Sequence, residues 1–160
     1  MTLFARVTRR LVDAGGILAA ASTVLILVLV CVEVVARKFN HSTMVADELA
    51  GYLNVAIVFF GLAYTVREGG FIRIELLYDR LRGLPLAAAR WFIVITSLAF
   101  ALVLGFFLAS HVHYAFEKDV RAISVLATPE YIPMTFAVAG CGLLVLQLAS
   151  FLLDRVRKLP

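Results

Sequence analysis

Few side chains in this sequence could do chemistry, and the spacing of those few argues against most of it. His111 and His113 invite a metal or haem reading. On a helix, positions i and i+2 point about 200° apart, so both cannot readily ligate one ion. A haem held between helices would need a facing His at similar depth, and His41, the third histidine, lies in a separate stretch. Glu33 and Arg37 stand four residues apart, a spacing at which a helix pairs opposite charges. Cys31 and Cys141 form no disulfide framework or thiol–metal spacing, and small packing roles are expected for them. Nucleophilic triads, glycine-rich phosphate loops and zinc spacings are absent. Gly69 and Gly70 fit a helix C-cap and turn better than a ligand loop. No catalytic or metal site is assigned.

The elements that carry these residues are set by composition. Of 160 residues, 62% are hydrophobic and only 16% are charged, and the mean hydropathy is +0.97. A soluble domain has roughly 45–50% apolar and about 25% charged residues. Four runs without Asp, Glu, Lys or Arg cover residues 14–32, 49–66, 91–116 and 131–153. About 20 residues at 1.5 Å rise cross a ~30 Å hydrocarbon core. A soluble enzyme, a nucleic-acid binder and a secreted disulfide scaffold are excluded. The expected fold class is an all-α membrane protein with four transmembrane helices in one domain. Its spans are placed at about 14–35, 49–66, 91–116 and 131–153.

Charge distribution orients the spans, because cytoplasmic loops are enriched in Lys and Arg. Arg6, Arg9 and Arg10 precede the first run; Arg67, Arg73, Arg80, Arg82 and Arg90 separate the second and third; Arg155, Arg157 and Lys158 follow the fourth. The other two loops hold only Arg37, Lys38, Lys118 and Arg121. Both termini are therefore expected in the cytoplasm. The first run exceeds a signal peptide's usual apolar length and ends at Glu33 and Arg37 without a small-residue cleavage site, so it is expected to be retained.

Two features mark surfaces. Gly51, Asn54, Val58, Gly61 and Thr65 recur at intervals of three and four, which places small and hydrogen-bonding residues on one face of the second span. Gly15, Ala19 and Ser22 form a weaker version on the first span, and Ala137, Gly140 and Gln147 another on the fourth. Such a face serves either packing within this chain's bundle or a seam for a second membrane protein. The segment 71–84, FIRIELLYDRLRGL, aligns Ile74, Leu77, Leu81 and Leu84 on one side. It is expected to be a short amphipathic helix in the cytoplasmic headgroup layer, ended by Pro85. Arg73, Arg80 and Arg82 would anchor it to anionic lipid, and Trp91 would mark the interface where the third span begins. That 26-residue run exceeds the hydrocarbon thickness, so it must tilt or carry His111, His113 and Tyr114 to the outer interface.

Enzymes, pumps and haem proteins of the membrane normally place ionisable residues deep in their spans. Here none of the four runs contains Asp, Glu, Lys or Arg. Transport sites usually involve broken helices and repeats near the midplane, and neither is evident. An accessory, non-enzymatic subunit is the economical reading. The alternatives are a haem-bearing anchor of a redox complex using His111 or His113, and a small autonomous proton-coupled exporter built on Glu33.

The residues ARKFN at 36–40, ADELAGYL at 46–53, FFGLAYTVREGGFIRIELL at 59–77 and the Pro129–Pro133 pair have a familiar order and spacing. Together the chain resembles the DctQ-like small membrane subunit of tripartite ATP-independent periplasmic (TRAP) transporters, over roughly residues 15–150. Arg37, Phe39 and Asn40 match that family's arginine–aromatic–asparagine, and Glu48-Leu49 its acidic–leucine start to the second span. Gly61, Arg67 and Gly70 match the glycine and arginine–glycine elements. The family often has His where Phe71 stands and Asp where Glu75 stands, so a role specific to that His does not carry over.

The resemblance implies a scaffold in the bacterial inner membrane beside a large permease subunit, which binds substrate and moves it using a sodium gradient. A periplasmic substrate-binding protein would deliver small organic acids. No cofactor is implied for this chain. Its expected contacts are membrane lipids and the large subunit, the latter along Gly51, Asn54, Gly61 and Thr65, with Arg37 and Glu48 as outer polar contacts.

Overall fold

Backbone N–H and C=O groups in hydrocarbon must be satisfied within their own segment, and the four apolar runs meet that demand as helices. The computed structural model describes residues 3–41, 44–70, 84–124 and 126–153. Helix α1 covers Leu3–Lys38, α2 Ala46–Arg67, α3 Leu84–Glu117 and α4 Tyr131–Leu153. Each contains a stretch long and apolar enough to cross a membrane. The one extended pairing among the described residues is an antiparallel bridge between Arg121 and Pro129.

Two helices outrun the apolar runs that predict them. With 36 residues α1 is about 54 Å long, and with 34 residues α3 is about 51 Å, both well beyond a ~30 Å core. Arg6, Arg9 and Arg10 interrupt the hydropathy of α1 but not its hydrogen bonding. Thr8 and Val12 in this extension are buried, which gives the added turns packing of their own. The segment 71–83, with Arg73, Arg80 and Arg82, lies outside the described residues. Leu84, expected within the interfacial helix, instead opens α3. Pro85 is its second residue, where a missing N–H costs nothing, so Pro85 starts the third span rather than ending the segment before it.

The helices run antiparallel in sequence order. Gly16 of α1 meets Tyr64 of α2 near one end, and Gly140 of α4 meets Phe59 of α2 in mid-helix. These glycines permit the approach. A Cβ on Gly16 would sit 2.5 Å from the Tyr64 ring, and one on Gly140 would sit 2.6 Å from the Phe59 carbonyl carbon. One buried cluster joins Val12, Ala63, Val66, Ala101, Leu144 and Leu148; a second joins Ala19, Ala56 and Phe60 with Leu143 packed against it. Small residues let helices approach closely where lipid supplies no hydrophobic drive between them. Helices α1, α2 and α4 pack mutually, whereas α3 packs on α4 and has no comparable contact with α1 or α2.

The connections are built as specifically as the helices. After α2, Gly69 takes a left-handed φ of 79°, and the Gly70 N–H donates to the Thr65 carbonyl at 2.9 Å, the C-cap its sequence predicts. Between α3 and α4 the Ala122 N–H donates to the Thr128 carbonyl and the Glu130 N–H to the Val120 carbonyl, both at 3.0 Å. Asp119 and Ala127 accept left-handed φ values of 46° and 44° to close that loop.

Candidate functional site

Polar chemistry is concentrated at the two ends of the bundle. At the end carrying the first loop, Arg37 donates to Glu33 at 2.8 Å and to Asp47 at 3.5 Å. Glu33 is 5% exposed, so the i,i+4 geometry supplies the buried carboxylate with a cation. Asp47 lies in the first turn of α2, so Arg37 clips that turn to the end of α1. One turn further, the Tyr52 hydroxyl donates to Glu48. Ser124, Leu126 and Thr128 of the α3–α4 loop approach the same carboxylate, whose second oxygen is buried without a hydrogen-bond partner. Glu48 therefore ties the α3–α4 loop to α2. Arg37 and Glu48, expected as contacts to another protein, are both engaged within this chain.

At the opposite end Arg67 of α2 is ion-paired with Asp13 of α1 and with Glu68 at 2.8 Å. It also donates to the Arg9 carbonyl at 3.3 Å and lies 4.7 Å over the Tyr64 ring. Tyr64 in turn covers Gly16. Sequence reasoning missed this clip. The available signal was that Asp13 and Arg67 each border an uncharged run on the side assigned to the cytoplasm.

The histidines part company as their spacing predicts. His111 faces Glu130 at 4.0 Å, and His113 faces Glu117 at 3.7 Å. Among the described residues no group of three or more His, Cys, Asp or Glu is placed to hold a metal ion. Cys141 is buried and donates to the Ala101 carbonyl at 3.3 Å, while Cys31 is exposed.

The second-span stripe faces outward. Gly51, Asn54, Val58 and Thr65 are exposed, and a Cβ on Gly51 would meet nothing within 4 Å. Gly61 is the stripe position turned toward α1: a Cβ there would sit 3.8 Å from the Ala19 methyl. The two weaker stripes do the opposite. Gly15 packs on Phe60 and Leu143, and Ala137, Gly140 and Gln147 are buried. Small residues on α1 and α4 thus form the internal seams, and most of the small face of α2 lies outside the bundle. Trp91, 42% exposed on α3, stands where its ring reaches the surroundings.

Four span-length helices among the described residues, with charges at the helix ends and connections and an outward small-residue face on α2, define a multi-pass membrane protein. Its sequence matches the family described as "Tripartite ATP-independent periplasmic transporters, DctQ component" over residues 26–158, and the chain belongs to that family. It is also similar to the "Ectoine TRAP transporter small permease protein TeaB" of Halomonas elongata. The two are 27% identical over 147 residues, which cover 87% of this chain and 71% of the relative.

Proposed function

We propose that this chain is the small permease subunit of a TRAP-type secondary transporter and serves it as a fixed scaffold. A large permease subunit would carry the substrate site and use a sodium gradient, and a periplasmic binding protein would deliver small organic acids. Both termini would lie in the cytoplasm, by the Lys and Arg asymmetry, and the protein would reside in the bacterial inner membrane. Residues of the 71–83 segment, Arg73, Arg80 and Arg82, would hold anionic headgroups beside Trp91. No cofactor is proposed for this chain.

The observation that carries this reading is the exposure of Gly51, Asn54 and Thr65 on α2. Asn54 lies eight residues into the helix, about 12 Å from its start, at a depth where hydrocarbon gives its amide no partner. A second helix does. Gly51→Leu is the sharper test than a change at Gly61, because space around Gly51 is open and the fold of this chain is left intact. Affinity purification from membranes co-expressing the large permease should show several-fold less of it with Gly51→Leu or Asn54→Leu. Undiminished recovery with both variants would contradict the use of this face.

A further inference from the structure

We propose that the tip of the α3–α4 loop is a lipid anchor that seats Ile123 and Leu126 in the interfacial layer of the bilayer. The inference needs only the membrane spans and goes beyond the scaffold reading. Residues 122–129, AISVLATP, run between Arg121 and Glu130 without a charge. Ile123 is fully exposed and Leu126 is 44% exposed. The Ala122 N–H donates to the Thr128 carbonyl and the Glu130 N–H to the Val120 carbonyl, so backbone bonds hold the tip in shape. An apolar tip displayed in this way is favoured in a less polar medium than water.

Helix contacts set the depth of the tip. Gly140 of α4 meets Phe59 of α2, and the neighbouring Cys141 thiol bonds the Ala101 carbonyl of α3, so these positions share one level. From that level Glu48 lies eleven residues, about 16 Å, toward the first-loop end of α2. Glu117 lies sixteen residues, about 24 Å, toward the same end along α3. Helix α3 therefore ends about 8 Å beyond Glu48. The chain then turns back, because Ser124, Leu126 and Thr128 approach the Glu48 carboxylate.

Glu48 in turn marks the edge of the hydrocarbon. Glu48 and Arg67 bracket the apolar run of α2 and stand nineteen residues, about 28 Å, apart, close to a ~30 Å core. The charged base of the loop, at Glu117, Lys118 and Asp119, thus lies farther from the core than the apolar tip. A soluble partner meets the base first, and lipid meets the tip. Phe39, Met44 and Phe116 at the same end are also exposed, so apolar side chains recur around this rim rather than singly. Arg37 is paired with Glu33 and Asp47, and Arg121 with Asp119 at 3.0 Å, so neither arginine is left bare against hydrocarbon.

Fluorescence in vesicles tests the anchor. Trp91 is the one native tryptophan, so Ile123→Trp in a Trp91→Phe background reports the tip alone. The full chain is reconstituted in phosphatidylcholine–phosphatidylglycerol vesicles, with or without lipids brominated near the headgroup. Emission is expected to be blue-shifted from that of the same variant unfolded in denaturant. Brominated lipid should quench it about twofold or more, and aqueous iodide should quench it little. Iodide quenching equal to that of the unfolded chain, without quenching by lipid, would overturn the proposal. Loss of lipid quenching when the large permease is reconstituted alongside would assign the tip to a protein and overturn it too. A nitroxide on Ile123→Cys in a Cys31→Ser background gives an independent reading. Oxygen should relax that label more than a water-soluble nickel chelate does; the reverse order would count against the anchor. Each result with the chain alone leaves the scaffold reading untouched.

Discussion

Asp13 of α1 and Arg67 of α2, 54 residues apart in sequence, form an ion pair that closes one end of the α1–α2 hairpin. Glu33, Arg37 and Asp47 close the other end. Between the two clips Gly16 admits Tyr64, so the hairpin is held at both ends and packed tightly near one of them. A unit pinned in this way suits a part that stays still while a partner moves.

Arg67 makes several interactions at once, so its removal should cost more than removal of its half-exposed partner. Arg67→Ala is expected to destabilise the purified chain by about 1–3 kcal/mol, the range for a charged hydrogen-bonded group whose partner is left behind. Asp13→Asn should cost about 1 kcal/mol or less, because water reaches that carboxylate. Thermal unfolding in detergent measures both. A double-mutant cycle with no coupling between the sites would contradict the clip.

Two glycines on different faces should respond in opposite ways. Gly140→Ala drives a methyl against the Phe59 backbone and should destabilise by about 1–3 kcal/mol, the usual cost of overpacking. Gly51→Ala meets open space, and the gain in helix propensity, about 0.8–1.0 kcal/mol, should leave the isolated chain as stable or more so. The same detergent melts check the sign of each change.

Glu48 should decide whether the α3–α4 loop stays docked on α2. Glu48→Leu removes the acceptor of the Tyr52 hydroxyl and the carboxylate that Ser124 and Thr128 approach, and is expected to raise hydrogen exchange across the α3–α4 loop severalfold. Glu48→Gln keeps one carbonyl oxygen and should lie between that variant and the native chain. Unchanged exchange in both would show that the loop holds itself.

The cysteines report the fold directly. A membrane-permeant maleimide in detergent should modify exposed Cys31 ahead of Cys141, which is buried and bonded to the Ala101 carbonyl. Cys141 should react only on unfolding. Equal rates in the folded protein would place α3 and α4 apart.

The four spans were legible in the sequence because hydropathy and run length alone decide them. Ends were not, since Arg6, Arg9 and Arg10 break an apolar run without breaking a helix, and Pro85 reads equally as a stop or as a first-turn residue. Periodicity identified the Gly51–Thr65 stripe, but a repeat of 3.6 names a face without saying what that face meets. Glu33 and Arg37 were legible because their partnership is local. Asp13 with Arg67, and Glu48 with the 118–130 loop, depend on how distant helices meet, which no local spacing encodes.

Reconstituted uptake tests the scaffold account most directly. Proteoliposomes holding the large permease, with its binding protein and a sodium gradient, would be compared with and without this chain, alongside vesicles holding this chain alone. Uptake is predicted only when this chain and the large permease are both present. Uptake by this chain alone, or undiminished uptake in its absence, would contradict its role as a scaffold.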